Sequence, residues 1–202
     1  TQDNRTRRSG NPLDVDSRWL RVVKVARRAM TRIVEMALAH HETVHVKIVM
    51  GNHDDHSAVL MAEILEAFFR NEPRVIVDTS PNPYYYFTFG QNLFGVHHGN
   101  EIKPTDLPGI MAVDQAANWQ ADQHRYFLLG DKHHVEGKNE KGGVNWEIFP
   151  TIIPRDAWHH RKGYRSTRRM SAITYHRNFG EWERTVCPID RIKYEINQRT
   201  KS

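Results

Sequence analysis

Apolar positions along this chain switch between a period near 3.6 residues and a period of two, which predicts helices alternating with strands. The first helix is expected over residues 17–40, capped by Ser17. Trp19, Val22, Val23, Ala26, Met30, Ile33, Val34 and Ala37 form its packing side, with Arg21, Lys24, Arg28, Arg32 and Glu35 opposite. Residues 44–50 alternate and then turn continuously apolar, as a strand entering a sheet centre does, and a second helix over 57–70 is stopped by Pro73. Strands follow at 74–78, 84–89 and 91–97, the last two joined near Gly90. A short helical pattern occupies part of 104–120, and 125–129 is an apolar strand. Val144, Trp146 and Ile148 alternate against Asn145, Glu147 and Phe149, and 170–176 pairs with 181–189 through a turn at 178–180. Residues 1–16, polar and broken by Gly10 and Pro12, read as an arm or loop, 17–189 as one domain and 190–202 as a polar tail. The class is α/β.

Composition narrows the setting. A chain of 202 residues suits one domain with a single core, and 39% hydrophobic with 26% charged residues is ordinary for a globular protein. No apolar run approaches the ~20 residues of a membrane span, and the one cysteine, Cys187, cannot form an internal disulfide, so a soluble cytoplasmic protein is expected. The net charge of +5 leans weakly towards polyanionic partners. Thirteen histidines are an excess that fits a metal site, because imidazole is both a metal ligand and an acid–base group near neutral pH.

The candidate chemistry gathers at strand ends. Gly51, Asn52, His53 and Asp54 follow the first strand and precede a helix, the place where α/β proteins open their sites; they offer an oxygen ligand, a proton donor and a carboxylate to orient it. The competing reading is a polar turn whose Asn and Asp cap the next helix. His97 and His98 close another strand with opposite side-chain directions, before Gly99. After the strand at 125–129, Asp131 and His133 stand two apart, on one side of an extended segment. Between Arg155 and Arg169 basic and aromatic residues interleave, among them Tyr164, Arg165 and Arg168, a composition that suits either a phosphate backbone with stacked bases or a solvated loop.

The block Gly51-Asn52-His53-Asp54 resembles the G-N-H-[DE] block of calcineurin-like metallophosphoesterases. Val96 to Asn100 is similar to that family's strand-end H-G block and Gly130 to His134 to its G-H-x-H block, in the family's order. The likeness is nearest to the small phosphoesterases of bacteriophage and prophage genomes, which would place the protein in a host cytoplasm. The resemblance implies an α/β/β/α sandwich of two mixed sheets flanked by helices, and hydrolysis of a phosphate ester, DNA or RNA among the substrates, by a metal-bound hydroxide. By the same resemblance Asn52 and His98, joined by Asp131, would bind one divalent ion and His133 the other, while His53, backed by Asp54, would act as the acid; Arg165, Arg168 and Tyr164 are the candidate substrate contacts. Asp131 stands where the family has histidine, and a carboxylate favours harder ions, so manganese is expected first, with magnesium, iron and zinc as alternatives.

The family's D-x-H and G-D blocks do not occur before Gly51. The expectation that follows is a carboxyl-terminal portion of a longer protein, lacking the first strands, which alone binds at most one metal weakly and hydrolyses little until the upstream segment is restored. Two other functions fit the same residues: a catalytically degraded phosphoesterase fold that binds nucleic acid or a protein, and a one-metal nuclease of another fold.

Overall fold

The expected alternation of helices and strands is present in the computed structural model, which describes residues 18–131, 137–152 and 167–200 as a mixed α/β chain. It divides into two compact units, Thr1–Pro83 and Tyr84–Ser202.

In the first unit, α1 (Trp19–Leu38), β1 (Val44–Lys47), α2 (Asp55–Phe69) and β2 (Val75–Asp78) follow one another. β1 and β2 pair in parallel, Val44 opposite Val75, and parallel strands need a crossover, which α2 supplies. Val44, Val46, Val75 and Val77 share one sheet face and pack with Leu65 and Phe69 of α2 and Val34 of α1, so both helices cover that face. Lys47 closes the far end of the strand pair, its Nζ donating to Asp78 Oδ1 at 2.7 Å and to the Ser80 carbonyl at 2.7 Å.

The packing side of α1 is largely the one expected: Val34 is buried, Val22, Val23, Ala26, Met30 and Ala37 are half-buried, and Arg21, Lys24, Arg28, Arg32 and Glu35 are exposed. Trp19 and Ile33 depart from it by being exposed, and Thr31 is buried beside Val34. Threonine is tolerated there because its hydroxyl donates to the Arg27 and Arg28 carbonyls of the same helix at 3.0 and 3.2 Å.

The second unit is built on a five-stranded sheet of β3 (Tyr85–Phe89), β4 (Asn92–His97), β5 (His124–Leu129), β6 (Lys138–Lys141) and β7 (Val144–Ile148), in the order β3-β4-β5-β7-β6. The three central strands are parallel and both edge strands antiparallel. A 3-10 turn (Pro104–Asp106), α3 (Leu107–Asp114) and α4 (Ala116–Ala121) make the crossover between β4 and β5. Leu107 and Met111 of α3 bury themselves against Leu93, Phe127, Leu129, Val144, Trp146 and Ile148 on one sheet face. Gly95 is part of that packing, since a Cβ there would stand 2.6 Å from the Phe127 ring.

The other face is aromatic. Phe87, Phe94 and Tyr126 stack across three strands, with centroids 4.6 and 5.4 Å apart, and Tyr175 meets Phe94 edge-on. Tyr175 belongs to a hairpin of β8 (Arg169–His176) and β9 (Gly180–Pro188) that lies over this face; α5 (Ile189–Arg199) follows. Two elements were not expected from the sequence: β6, and α5 within the presumed polar tail at 190–202. Among the described residues, no helix is long and apolar enough to cross a membrane.

Charged groups also join hairpin and sheet. Arg184 of β9 donates to both oxygens of Glu147 on β7 at 2.9 and 2.7 Å and to Glu181 at 2.9 Å, and Lys138 reaches Glu181 at 2.6 Å. The Arg184 hydrogen bond holds the Glu181 carboxyl below its usual range, so its contribution to stability is full above the ordinary carboxyl pKa and is lost as pH falls through the lowered value. Replacing Arg184 by Leu leaves two shielded carboxylates without their main partner, and a loss of about 3 kcal/mol is expected at neutral pH. Urea unfolding should show the gap to wild type narrowing as pH falls below the ordinary carboxyl pKa and Glu181 protonates. An equal gap at neutral and acid pH would remove the network from the stability of this layer.

Candidate functional site

β4 and β5 are parallel with His97 opposite Leu129, so the residues that follow them leave the sheet side by side. The pairing continues one step further: the Gly130 N–H donates to the His98 carbonyl at 2.9 Å. Gly99 then turns with φ +101, and a Cβ at this position would lie 3.3 Å from the Gly130 carbonyl. Asp131 also adopts the left-handed region, φ 64, where aspartate is tolerated better than most non-glycine residues. The extended backbone expected at Asp131 is therefore absent, and the two-residue alternation used to place it beside His133 does not hold at this residue. Instead its carboxylate meets the imidazole, with His98 Nε2 3.4 Å from Asp131 Oδ1 and both side chains half-buried.

His97 points to the opposite side, as alternation along the strand requires. It is buried and stacks on Tyr84 with centroids 4.6 Å apart. Its Nδ1 accepts the Gly99 N–H at 2.9 Å, and burial, assisted by the neighbouring His98, lowers its pKa. A neutral His97 with its proton on Nε2 thus fastens the turn that carries His98. Nothing in the sequence pattern marked Tyr84 as its partner.

The Gly51–Asp54 block lies in the first unit and closes on itself. The Gly51 N–H donates to Asp54 Oδ1 at 2.8 Å, the Asp54 N–H reaches the Gly51 carbonyl at 3.4 Å, and the Asp54 carbonyl accepts from Ala58 at 2.7 Å to start α2. Asp54 occupies the cap position of α2, but its carboxylate makes no cap bond to the helix and reaches back to Gly51. The turn so formed presents half-buried Asn52 and His53.

Of the other sequence-predicted residues, Arg168 is half-buried and donates to the Ile152 carbonyl at 3.5 Å. His133, Tyr164 and Arg165 lie outside the described residues.

The His98–Asp131 pair is suited to holding a cation. Two donors each ~2.1 Å from one ion at a tetrahedral angle stand ~3.4 Å apart, and an imidazole nitrogen with a carboxylate oxygen is a donor set that zinc, manganese and iron accept. Two donors are a partial shell: among the described residues, no group of three or more His, Cys, Asp or Glu side chains is placed to hold a metal ion.

His97 offers a direct test of how this turn is held. His97→Leu retains apolar contact with Tyr84 but leaves the buried Gly99 N–H without an acceptor, for an expected loss of ~1–3 kcal/mol in urea unfolding. His97→Asn, whose side-chain oxygen can accept the N–H two residues on, should recover part of that loss. Equal stability of the Leu variant and wild type would mean that the hydrogen bond holds nothing.

No protein-family model, curated protein or solved structure matches this chain.

Proposed function

We propose that this chain is a metal-dependent phosphoesterase acting on nucleic-acid phosphodiesters. The observation that carries the reading is the convergence of His98 and Asp131, 3.4 Å apart, at the carboxyl ends of two adjacent parallel strands. A histidine and an aspartate brought together at a random surface position have no reason to sit where α/β sheets place their sites, between two turns that both demand unusual backbone.

His98 and Asp131 would hold a divalent ion in this reading, with His133 as a further ligand; manganese is the first choice, iron, zinc and magnesium the alternatives. The ion supplies Lewis acidity at a phosphoryl oxygen. His53 is the candidate proton donor, and Asp54 closes the turn that carries it by accepting the Gly51 N–H. Arg168, with Arg165 and Tyr164, contacts the phosphate backbone of the substrate. The finer architecture proposed is an α/β/β/α sandwich. Support for it lies inside the second unit, where α3 packs on one face of the mixed sheet and the β8–β9 hairpin covers the other.

Calorimetry with manganese tests the ion site. His98→Ala and Asp131→Ala should each weaken binding at least about tenfold, as loss of a ligand does, and Asp131→His should move the preference from manganese towards zinc. Unchanged affinity in both alanine variants would end the proposal. For the proton donor, His53→Ala should lower manganese-dependent hydrolysis of a diester by ~10²–10⁴-fold while metal binding persists; near-normal turnover of a diester with a poor leaving group would exclude that role.

A further inference from the structure

The hairpin and the five-stranded sheet do not meet along their whole length. A cleft of about 420 Å³ remains between them, within the size range of small-molecule sites. Tyr126 and Tyr175 form part of its wall, their rings 4.9 Å apart. At its rim stand Phe179 and Trp182, 65% and 66% exposed.

Neither ring is exposed by looseness. Glu183 pairs with Thr174 and Glu181 with Tyr175, so Trp182 is the unopposed residue of a β-bulge, a device that re-aims a side chain. Phe179 stacks on His176 at 4.4 Å and 14°, and His176 lies 5.5 Å from Trp182. The turn beneath them is pinned three ways. The Asn178 N–H donates to His176 Nδ1, His124 Nε2 donates to the Asn178 carbonyl, and the buried Asn92 amide donates to the Phe89, His176 and Arg177 carbonyls. Rigid aromatic surface facing water at the mouth of a cleft is the arrangement of a stacking site.

The polar groups narrow the class of ligand. Lys138 and Arg184 are offset by Glu147 and Glu181, which they already hydrogen-bond, and Glu183 adds one more negative charge. Among the described lining residues no cation is left for a phosphate. The exposed Asn145 amide, on the same sheet face as Tyr126, supplies both a donor and an acceptor. A flat, uncharged heterocycle with donors and acceptors along its edge satisfies all of these groups. Arg177, its guanidinium 5.9 Å from the Phe89 ring, is a cation on the same turn for a phosphate kept outside.

We propose that the cleft between the β8–β9 hairpin and the sheet binds a nucleobase, stacked on Trp182 and Phe179 and read at its edge by Asn145, with the sugar-phosphate left in solvent. The base comes from a free nucleotide or from a single strand, and the two sources share this chemistry. The site is separate from the His98–Asp131 pair and needs no metal.

The test uses the full chain in EDTA, which makes it blind to hydrolysis; its failure leaves the phosphoesterase reading standing, and loss of metal binding leaves this one standing. Fluorescence anisotropy compares a labelled oligothymidylate with an abasic strand of the same length. Base stacking predicts roughly tenfold tighter binding of the base-bearing strand. Trp182→Ala and Asn145→Leu, both at exposed positions, should each cut that preference below about threefold while leaving the abasic affinity, the salt slope and the melting temperature unchanged. Displacement of the strand by adenosine monophosphate would identify free nucleotide as a sufficient ligand; tight strand binding without displacement would identify a strand. Equal affinity for the two strands overturns the proposal, as does a Trp182 variant that loses both equally. Tetramethylammonium binding that depends on Trp182 in the absence of any base preference would also overturn it, in favour of an aromatic cage for cations.

Discussion

β4, β5 and β7 run in one direction, and parallel neighbours must release their chains at the same edge of a sheet. That constraint decides where His98 and Asp131 sit. His98 and Asp131 are distant in sequence and meet because each is carried just beyond the end of a paired strand. The ladder itself extends to the site: the Gly130 N–H bonds His98, and the Phe149 N–H bonds the Leu129 carbonyl at 2.8 Å on the other side of β5. Beyond the last hydrogen bond the chain has to turn at once, and the turn is made with positive φ at Gly99 and Asp131. An aspartate in that conformation is costlier than a glycine, but its carboxylate makes the contact with His98 that glycine could not.

The same sheet separates two kinds of packing. Leu93, Phe127, Leu129, Val144, Trp146 and Ile148 face the helices, where shape alone has to be matched. The opposite face carries Phe94, Tyr126 and Glu147, and the hairpin above it must satisfy a charge as well as rings, which Arg184 and Tyr175 do. Rings and ion pairs fix direction more than they fill space. A hairpin held by such contacts keeps one orientation while leaving a gap beside it, whereas an aliphatic layer would have closed the gap.

Where burial follows alternation, the sequence was readable. β4, β5 and β7 are core strands with buried residues on at least one face, and their patterns located them to within a residue or two. β6 has no such pattern because all four residues of Lys138–Lys141 are exposed; a charged edge strand hides from hydropathy for the reason that it resists pairing with other chains. α5 also has no buried residue: its Ile189, Ile192, Tyr194 and Ile196 are interspersed among charged and amide side chains, and Tyr194 and Ile196 are exposed. In α1 most of the apolar stripe was legible, Val34 at its centre, but the sequence offers more apolar positions than one contact stripe can hold, and packing buries Thr31 while leaving Trp19 and Ile33 exposed. At the site, the strand-end histidines and glycines were legible. The left-handed Asp131 was not, since one residue's backbone state leaves no periodic trace.

Thirteen histidines suggest metal ligation, and two of those described also act on the backbone. His97 is the last residue of β4 and His176 the last of β8, and in each the Nδ1 atom accepts the N–H of the residue two places on, Gly99 at 2.9 Å and Asn178 at 3.1 Å. Serine or aspartate could accept the same N–H, but imidazole adds a flat ring that packs: His97 against Tyr84, His176 against Phe179. The bond requires Nδ1 to be unprotonated, which burial favours at His97. One of these turns delivers His98 towards Asp131 and the other holds the ring beside Trp182 and the cleft. A strand ending in His-x-Gly or His-x-Asn therefore fixes the chain direction beside each of the two proposed ligand sites, and the histidine that stabilises each turn stands next to, not among, the groups proposed to bind a ligand.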